Sequence, residues 1–166
     1  MNNKDLMNKL KNPAENSSTE SSADNVMCKY VVFSLGSSTY ALPAADVKEI
    51  SFDNALYYVP FVPPYVRGYA NRHGQPYTVF DLNLLFHNEK LESSTLLVLN
   101  LLQDQACLLI SDVDEIIKIP SRDVHKISSD DDSSRYFLES ITLKGQEIFV
   151  LKGQALLERL ERDIER

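Results

Sequence analysis

The side chains with the widest chemical range in this 166-residue chain are three histidines, two cysteines and a run of three aspartates. His73, His87 and His125 lie far apart and outside any H-E-x-x-H or C-x-x-C context, so no zinc ligand set is legible. Cys28 and Cys107 are distant from each other in a chain without secretory features, and they read as free thiols. Asp130, Asp131 and Asp132 lack the alternating spacing and the turn glycine of a calcium loop, and fit a solvated loop better. Ser37 and Ser38 beside Gly36 could suggest a nucleophile, but a reactive serine needs a strand-to-helix elbow and a base. A hairpin turn accounts for them. The five glycines form neither a G-x-G-x-x-G nor a G-x-x-x-x-G-K-[ST] arrangement, so no cradle for nucleotide phosphates is written here. No catalytic residue, metal or cofactor is therefore expected, and the chemistry must lie in what the folded surface presents to partners.

Charge narrows the choice of partner. A formal net charge of -7 argues against nucleic acid, whose recognition needs dense Lys and Arg on one face. No apolar run approaches the roughly 20 residues needed to span a bilayer, and the first residues lack the order of a secretory signal. A cytoplasmic protein without direct membrane insertion is expected. Hydrophobic residues at 43% and charged residues at 25% are those of an ordered globular chain.

Residues 1–27 are rich in Asn, Ser, Lys and Glu and read as a flexible tail, because little apolar surface is available to offset ordering entropy. Within it Leu6, Met7 and Leu10 could form one apolar helical turn that docks on a partner, although so short a helix is marginal alone. From Lys29 the text is strand-like. Tyr30 to Leu35 is β-branched and aromatic, breaks at Gly36-Ser37-Ser38 and resumes at Thr39 to Leu42, which predicts a hairpin. Further strands are expected at Val47–Ser51, Tyr65–Asn71, Tyr77–Phe80, Leu96–Leu101, Ala106–Ile110, Val113–Ile119, Tyr136–Leu143 and Glu147–Leu151. Prolines 60, 63 and 64 make Val59–Pro64 an extended connector. Over residues 153–165 the period changes, with Leu156, Leu157, Leu160 and Ile164 on one side, and an amphipathic helix packed on a barrel is expected.

The chain also matches itself. A shift of 66 positions pairs Val32 with Val98, Leu35 with Leu101, Leu42 with Leu108, Asp46 with Asp112, Val47 with Val113, Glu49 with Glu115 and Ile50 with Ile116. At a slightly longer shift Tyr65 matches Tyr136, Gly74 matches Gly145, Gln75 matches Gln146, Val79 matches Val150 and Leu85 matches Leu156. The offset grows because a polar loop, Ser128 to Ser134, is inserted in the second half. The fold class expected is mainly β, with two five-stranded barrels of about residues 29–86 and 95–151 in pseudo-duplicated arrangement. Each is too small to be comfortably stable alone, so the two should pack together and leave a groove suited to a helical partner or a ligand.

The order Tyr30-Val31-Val32-Phe33-Ser34-Leu35-Gly36, Tyr40-Ala41-Leu42, Val47-Lys48-Glu49-Ile50 resembles the opening of a CheW-like domain. Downstream, Pro64 to Gly74 followed by Asp81-Leu82 is similar to that family's signature of Gly, then Asn-Leu-Arg-Gly, then Asp-Leu. The resemblance spans about residues 29–160. It implies two SH3-like barrels and a non-enzymatic scaffold linking the helical tips of chemoreceptors to the regulatory domain of a histidine kinase, with other CheW-like domains as further partners. It also implies a kinase-facing surface around Val47, Glu49 and Ile50 and a receptor groove containing His73, Gly74, Thr95, Leu96, Cys107 and Ile116.

The chain departs from the family where His73 replaces the usual Arg, the partner of the glutamate corresponding to Glu49. A neutral imidazole would make that pairing weaker or pH-dependent. Arg72, one position earlier, is expected on the opposite strand face and unable to substitute. Thr78, Cys107 and Ile110-Ser111 are further departures. Two other readings therefore stand beside the coupling scaffold. One is a divergent adaptor that occupies array sites without activating the kinase. The other is a small-molecule-binding or enzymatic module using Cys107 or His73.

Overall fold

The computed structural model describes residues 26–128 and 136–165. Residues 1–25 of the expected tail and Asp130 to Asp132 lie outside the described residues. The described chain runs β1 (Met27–Leu35), β2 (Ser38–Pro43), β3 (Val47–Ser51), β4 (Val66–Arg72), β5 (Gln75–Phe80), α1 (Leu82–His87), β6 (Thr95–Leu99), β7 (Ala106–Ile110), β8 (Asp112–Pro120), β9 (Val124–Lys126), β10 (Phe137–Leu143), β11 (Gln146–Leu151) and α2 (Gly153–Ile164). β1 begins at Met27 rather than Lys29, because Met27 and Cys28 pair with Pro120 and Ile119 of β8.

The strands form two sheets, one ordered β8-β1-β2-β11-β10-β9 and the other β3-β6-β7-β5-β4. This differs from the division expected from sequence. Residues 29–86 and 95–151 are the two repeats, but neither repeat closes a sheet by itself. The β1–β2 hairpin of the first repeat joins β8 to β11 of the second, while the β6–β7 hairpin of the second joins β3 to β5 of the first. The six-stranded sheet has one strand more than expected, β9, which pairs with β10; its place in the other sheet is taken by a single bridge from Tyr57 to Tyr69.

The duplication survives this exchange down to register. Val31 faces Leu42 in the first hairpin, and Leu97 faces Leu108 in the second, each pair displaced by the same 66 positions. Ala41 runs parallel to Val150, as Cys107 does to Val79. Bulges interrupt β4–β5 between Val66 and Gly68 and β10–β11 between Phe137 and Glu139.

Both exchanged hairpins must be apolar on both faces, which is why they lack clean alternation. Tyr30, Val32 and Ala41 fill a small cluster with Ile141, Ile148 and Val150 inside the six-stranded sheet. The alternate residues Val31, Phe33, Leu35 and Leu42 enter the larger core shared with β5, β6, β7 and the leucines of α2. Tyr40 stacks on Phe137 with ring centroids 5.5 Å apart, and Phe86 of α1 packs against the same Phe137 at 5.2 Å.

Two polar contacts, one on a buried carboxylate and one on a half-buried carboxylate, fix the helices. Asp81, 0% exposed, accepts a hydrogen bond from the Leu84 amide (3.0 Å) and so caps α1. It also accepts from Arg67 Nη1 (2.7 Å) and from the Leu91 amide (2.9 Å). The counterpart of Asp81 before α2 is Lys152, whose side chain makes no cap. Asp46 supplies it from the other repeat, its Oδ2 accepting the Gly153 amide at 2.9 Å. Gly68 has φ +121, and a Cβ there would lie 2.0 Å from the carbonyl oxygen of Tyr57. The close crossing that forms the Tyr57–Tyr69 bridge therefore requires glycine.

Candidate functional site

β3 is an edge strand, and Glu49 projects from it toward the turn joining β4 to β5. That turn is tight: His73 and Gly74 both adopt left-handed backbone, with φ of 52 and 80. Asn71 Oδ1 accepts the Gly74 amide at 2.9 Å and holds the turn shut. The geometry brings two basic side chains onto one carboxylate. Arg72 donates through Nη2 to Glu49 Oε1, and His73 Nε2 lies 3.3 Å from Glu49 Oε2.

Arg72 thus does what its place on the strand argued against. Alternation governs the Cβ, but Arg72 is the last residue of β4 and its side chain is long enough to curl around the strand end. Behind it, Arg72 Nη1 reaches Asn54 Oδ1 at 3.4 Å, Ser51 Oγ donates to the same oxygen at 2.8 Å, and Asn54 Nδ2 donates to the Ser94 carbonyl at 2.9 Å. The result is a polar network of partly buried groups around an edge strand, with His73 its most exposed member.

Partial burial pushes the Glu49 carboxyl up, but the hydrogen bonds and charge contributed by Arg72 and His73 outweigh it, and the carboxyl is held below its ordinary value. Cys107 is shifted the other way, pushed up to about 12 chiefly by burial. With no exposed surface it is not available as a thiolate nucleophile.

The other expected contact residues divide. His73 and Gly74 are exposed in the turn, and Thr95 is half-buried at the start of β6. Leu96 and Cys107 are each 0% exposed, which places them in the core rather than in a groove. Cys107 occupies in one barrel the interior position that Ala41 occupies in the other. Ile116 is 54% exposed but belongs to the other sheet, where it faces Val31. Of the surface expected around β3, Glu49 is in the network, while Val47 and Ile50 are half-buried and pack against the larger core. They are not free anchors, so truncating them also removes packing.

The chemistry that sequence reasoning missed is the Arg67–Asp81 pair. Its signal was present in the Arg67-Gly68 and Asp81-Leu82 dipeptides, whose roles prove architectural: an internal ion pair, a helix cap and a backbone crossing. Among the described residues no group of three or more His, Cys, Asp or Glu is arranged to hold a metal. No described helix is long and apolar enough to cross a membrane.

The comparisons agree with this architecture. A family model described as the CheW-like domain matches residues 29–161. Among solved structures, the chain is similar to the scaffolding protein TtCheW from Thermoanaerobacter tengcongensis, with a TM-score of 0.68 at 25% identity over 76% of this chain and 90% of that one. No curated protein matches the sequence. A family match over most of its length, on two barrels built from exchanged hairpins, shows that the chain belongs to the CheW-like domain family.

Proposed function

We propose that the protein is a coupling scaffold of a chemosensory array, holding the regulatory domain of a histidine kinase beside the helical tips of chemoreceptors without chemistry of its own. The observation that carries this reading is the Glu49 network. A carboxylate on an edge strand, clamped by Arg72 and His73 and backed by Asn54, is a preorganised polar surface at the place where the family carries its Glu–Arg pair. Such a network gives a partner orientation and specificity, and it includes no nucleophile or base arranged for turnover. Val47 and Ile50 contribute by holding β3 on the core rather than by facing the partner. A cytoplasmic location at an array follows from this role.

The divergent-adaptor reading has one observation of its own, the displacement of the family's cation from position 73 to Arg72. That displacement changes what a partner meets at the exposed turn, where His73 now stands. One experiment separates the two readings. The protein is reconstituted with receptor tip fragments and kinase, and both co-sedimentation and kinase activity are followed. Incorporation with stimulated phosphorylation supports the coupler, incorporation without stimulation supports the adaptor, and failure of both components to bind overturns both.

A further inference from the structure

A cleft of about 310 Å³ opens between the connector preceding β4, strands β4 and β5, and α2, and it shares no residue with the Glu49 network. Its size is at the low end of the range of about 300–1,000 Å³ typical of small-molecule sites. Phe61, Val66, Tyr69 and Phe80 line it from the first repeat. From α2 come Leu157, Glu161 and Ile164, spaced i, i+4 and i+7 and therefore on one helix face. An acid thus interrupts an apolar stripe, and Asp104 is a second acid on the same cleft. Phe80 and Leu157 belong to the core, whereas Phe61, Tyr69 and Ile164 are exposed. Apolar surface therefore continues out of the core and into the cleft.

Charge narrows the choice of ligand. Among the described residues neither Asp104 nor Glu161 is in an ion pair. Burial, then the charges of Asp104, Glu165 and Glu158 in turn, push the Glu161 carboxyl above its ordinary value. Negative charge has accumulated here without a counterion from the described chain, which favours a positive ligand. Two carboxylates among apolar walls do not supply the roughly six oxygens that a hard metal ion takes. An ammonium on an apolar stem fits both features, because the faces of Phe61 and Tyr69 attract a cation as well as covering its stem. Phe61 sharpens the point. It sits in left-handed backbone at φ 62, unfavourable for a bulky residue, and strain of this kind gathers at ligand clamps.

We propose that this cleft binds a small organic cation, a primary ammonium on an apolar or aromatic stem, with its charge at Asp104 and Glu161 and its stem against Phe61, Tyr69 and Ile164. Neither Glu49 nor its partners line the site, so it stands or falls independently of the coupling role.

The test titrates the isotope-labelled full-length chain with phenylbutylamine, and in parallel with phenylbutanol and phenylbutyrate, which keep the stem and change the charge. The amine should give saturable amide shifts confined to the Phe61 connector, the neighbourhood of Asp104 and α2. Its half-saturation should lie about tenfold below that of the alcohol, the effect of a charge-assisted contact, and further below that of the acid. In an Asp104→Asn, Glu161→Gln variant the amine should weaken to the level of the alcohol, while the alcohol itself is unchanged. Both substituted side chains are exposed, so the fold is retained. Absence of saturable shifts at millimolar amine, shifts scattered over the surface, equal affinity for the three compounds, or unaltered amine affinity in the variant each overturns the proposal. Shifts at the cleft produced by a helical Leu/Lys peptide but not by the amine also overturn it, since the occupant is then a protein segment.

Discussion

Lys144 is the structural counterpart of His73. Both open the tight turn of their repeat in left-handed backbone, with φ of 51 and 52. Each reaches the equivalent glutamate of its own barrel, Lys144 to Glu115 at 3.2 Å and His73 to Glu49 at 3.3 Å. The two glutamates are 66 positions apart, as the repeat demands. Among the described residues only Glu49 has a second cation, because the residue before Lys144 is Leu143 where the first repeat has Arg72. The network around β3 is thus an elaboration of a contact the fold makes twice.

This relationship predicts which cation matters for a partner. Arg72→Ala should weaken capture of kinase or receptor fragments about tenfold, the effect of losing a charge-assisted bond in a partly desolvated site. His73→Ala, which removes an exposed group, should change it less than about threefold. Titration calorimetry measures both. The opposite ranking would show that the exposed imidazole makes the contact and that Arg72 serves only the fold. His73→Arg should tighten binding, since a forked permanent cation is added where the family has one.

The depressed Glu49 carboxyl gives a pH signature. A group whose folded value lies below its unfolded value stabilises the fold above the unfolded value, and this contribution is lost as pH falls through the folded one. Glu49→Gln should therefore cost no more than about 1 kcal/mol at neutral pH, as befits a partly exposed pair. The difference from wild type should shrink steadily on acidification below the ordinary carboxyl value of 4.5. Urea unfolding at a series of pH values measures it, and a difference that is constant with pH would remove the shift from the account.

Gly68 and Gly74 both have positive φ, yet their substitutions should differ. Gly68→Ala drives a Cβ onto the Tyr57 carbonyl at 2.0 Å and should destabilise by at least about 3 kcal/mol, or prevent folding. Gly74→Ala meets nothing within 4 Å and should cost about 1 kcal/mol from backbone strain alone. Thermal melts of the two variants side by side decide the matter, equal losses being the contrary result.

Cys107 and Cys28 should react at different rates with a thiol reagent. Cys28 is half-buried near the start of β1, whereas Cys107 is enclosed and its thiol is pushed up to about 12. In the native protein Cys28 should be modified at least about a hundredfold faster, with Cys107 following only as the fold opens. Mass spectrometry of timed samples reads this directly. Rapid labelling of Cys107 would return it to the list of candidate reactive groups.

Much of this architecture was legible in the residues. The strands announce themselves through Val, Ile and Tyr and through the turns at Gly36, Gly74 and Gly145. The repeat was visible because Leu42 and Leu108, or Val79 and Val150, must fill the same holes. What stayed hidden was which copy each hairpin completes. Val31 needs an apolar partner across from it, and Ile50 and Ile116 would serve equally, so local pattern is satisfied by either arrangement. The helix α1 was missed because Leu82 to His87 is a short apolar run with no room to display a helical period. Arg72 was misplaced because strand alternation describes a Cβ, not the end of a long side chain. Leu96 and Cys107 were assigned to a groove from family positions, and only the packing reveals that they face inward.

The exchange of hairpins makes this single chain the covalent equivalent of a swapped homodimer. One repeat by itself has a hairpin with no sheet and a sheet with no hairpin, so it can satisfy its edges only by finding another copy. Cutting the link between Phe86 and Thr95 would therefore yield not two barrels but two unfinished halves, each carrying the missing strands of the other. Movement of one barrel relative to its twin is likewise resisted by strands rather than by a linker. A partner gripping the Glu49 edge is mechanically connected, through the short links from β2 to β3 and from β7 to β8, to the barrel that Glu115 and Lys144 decorate.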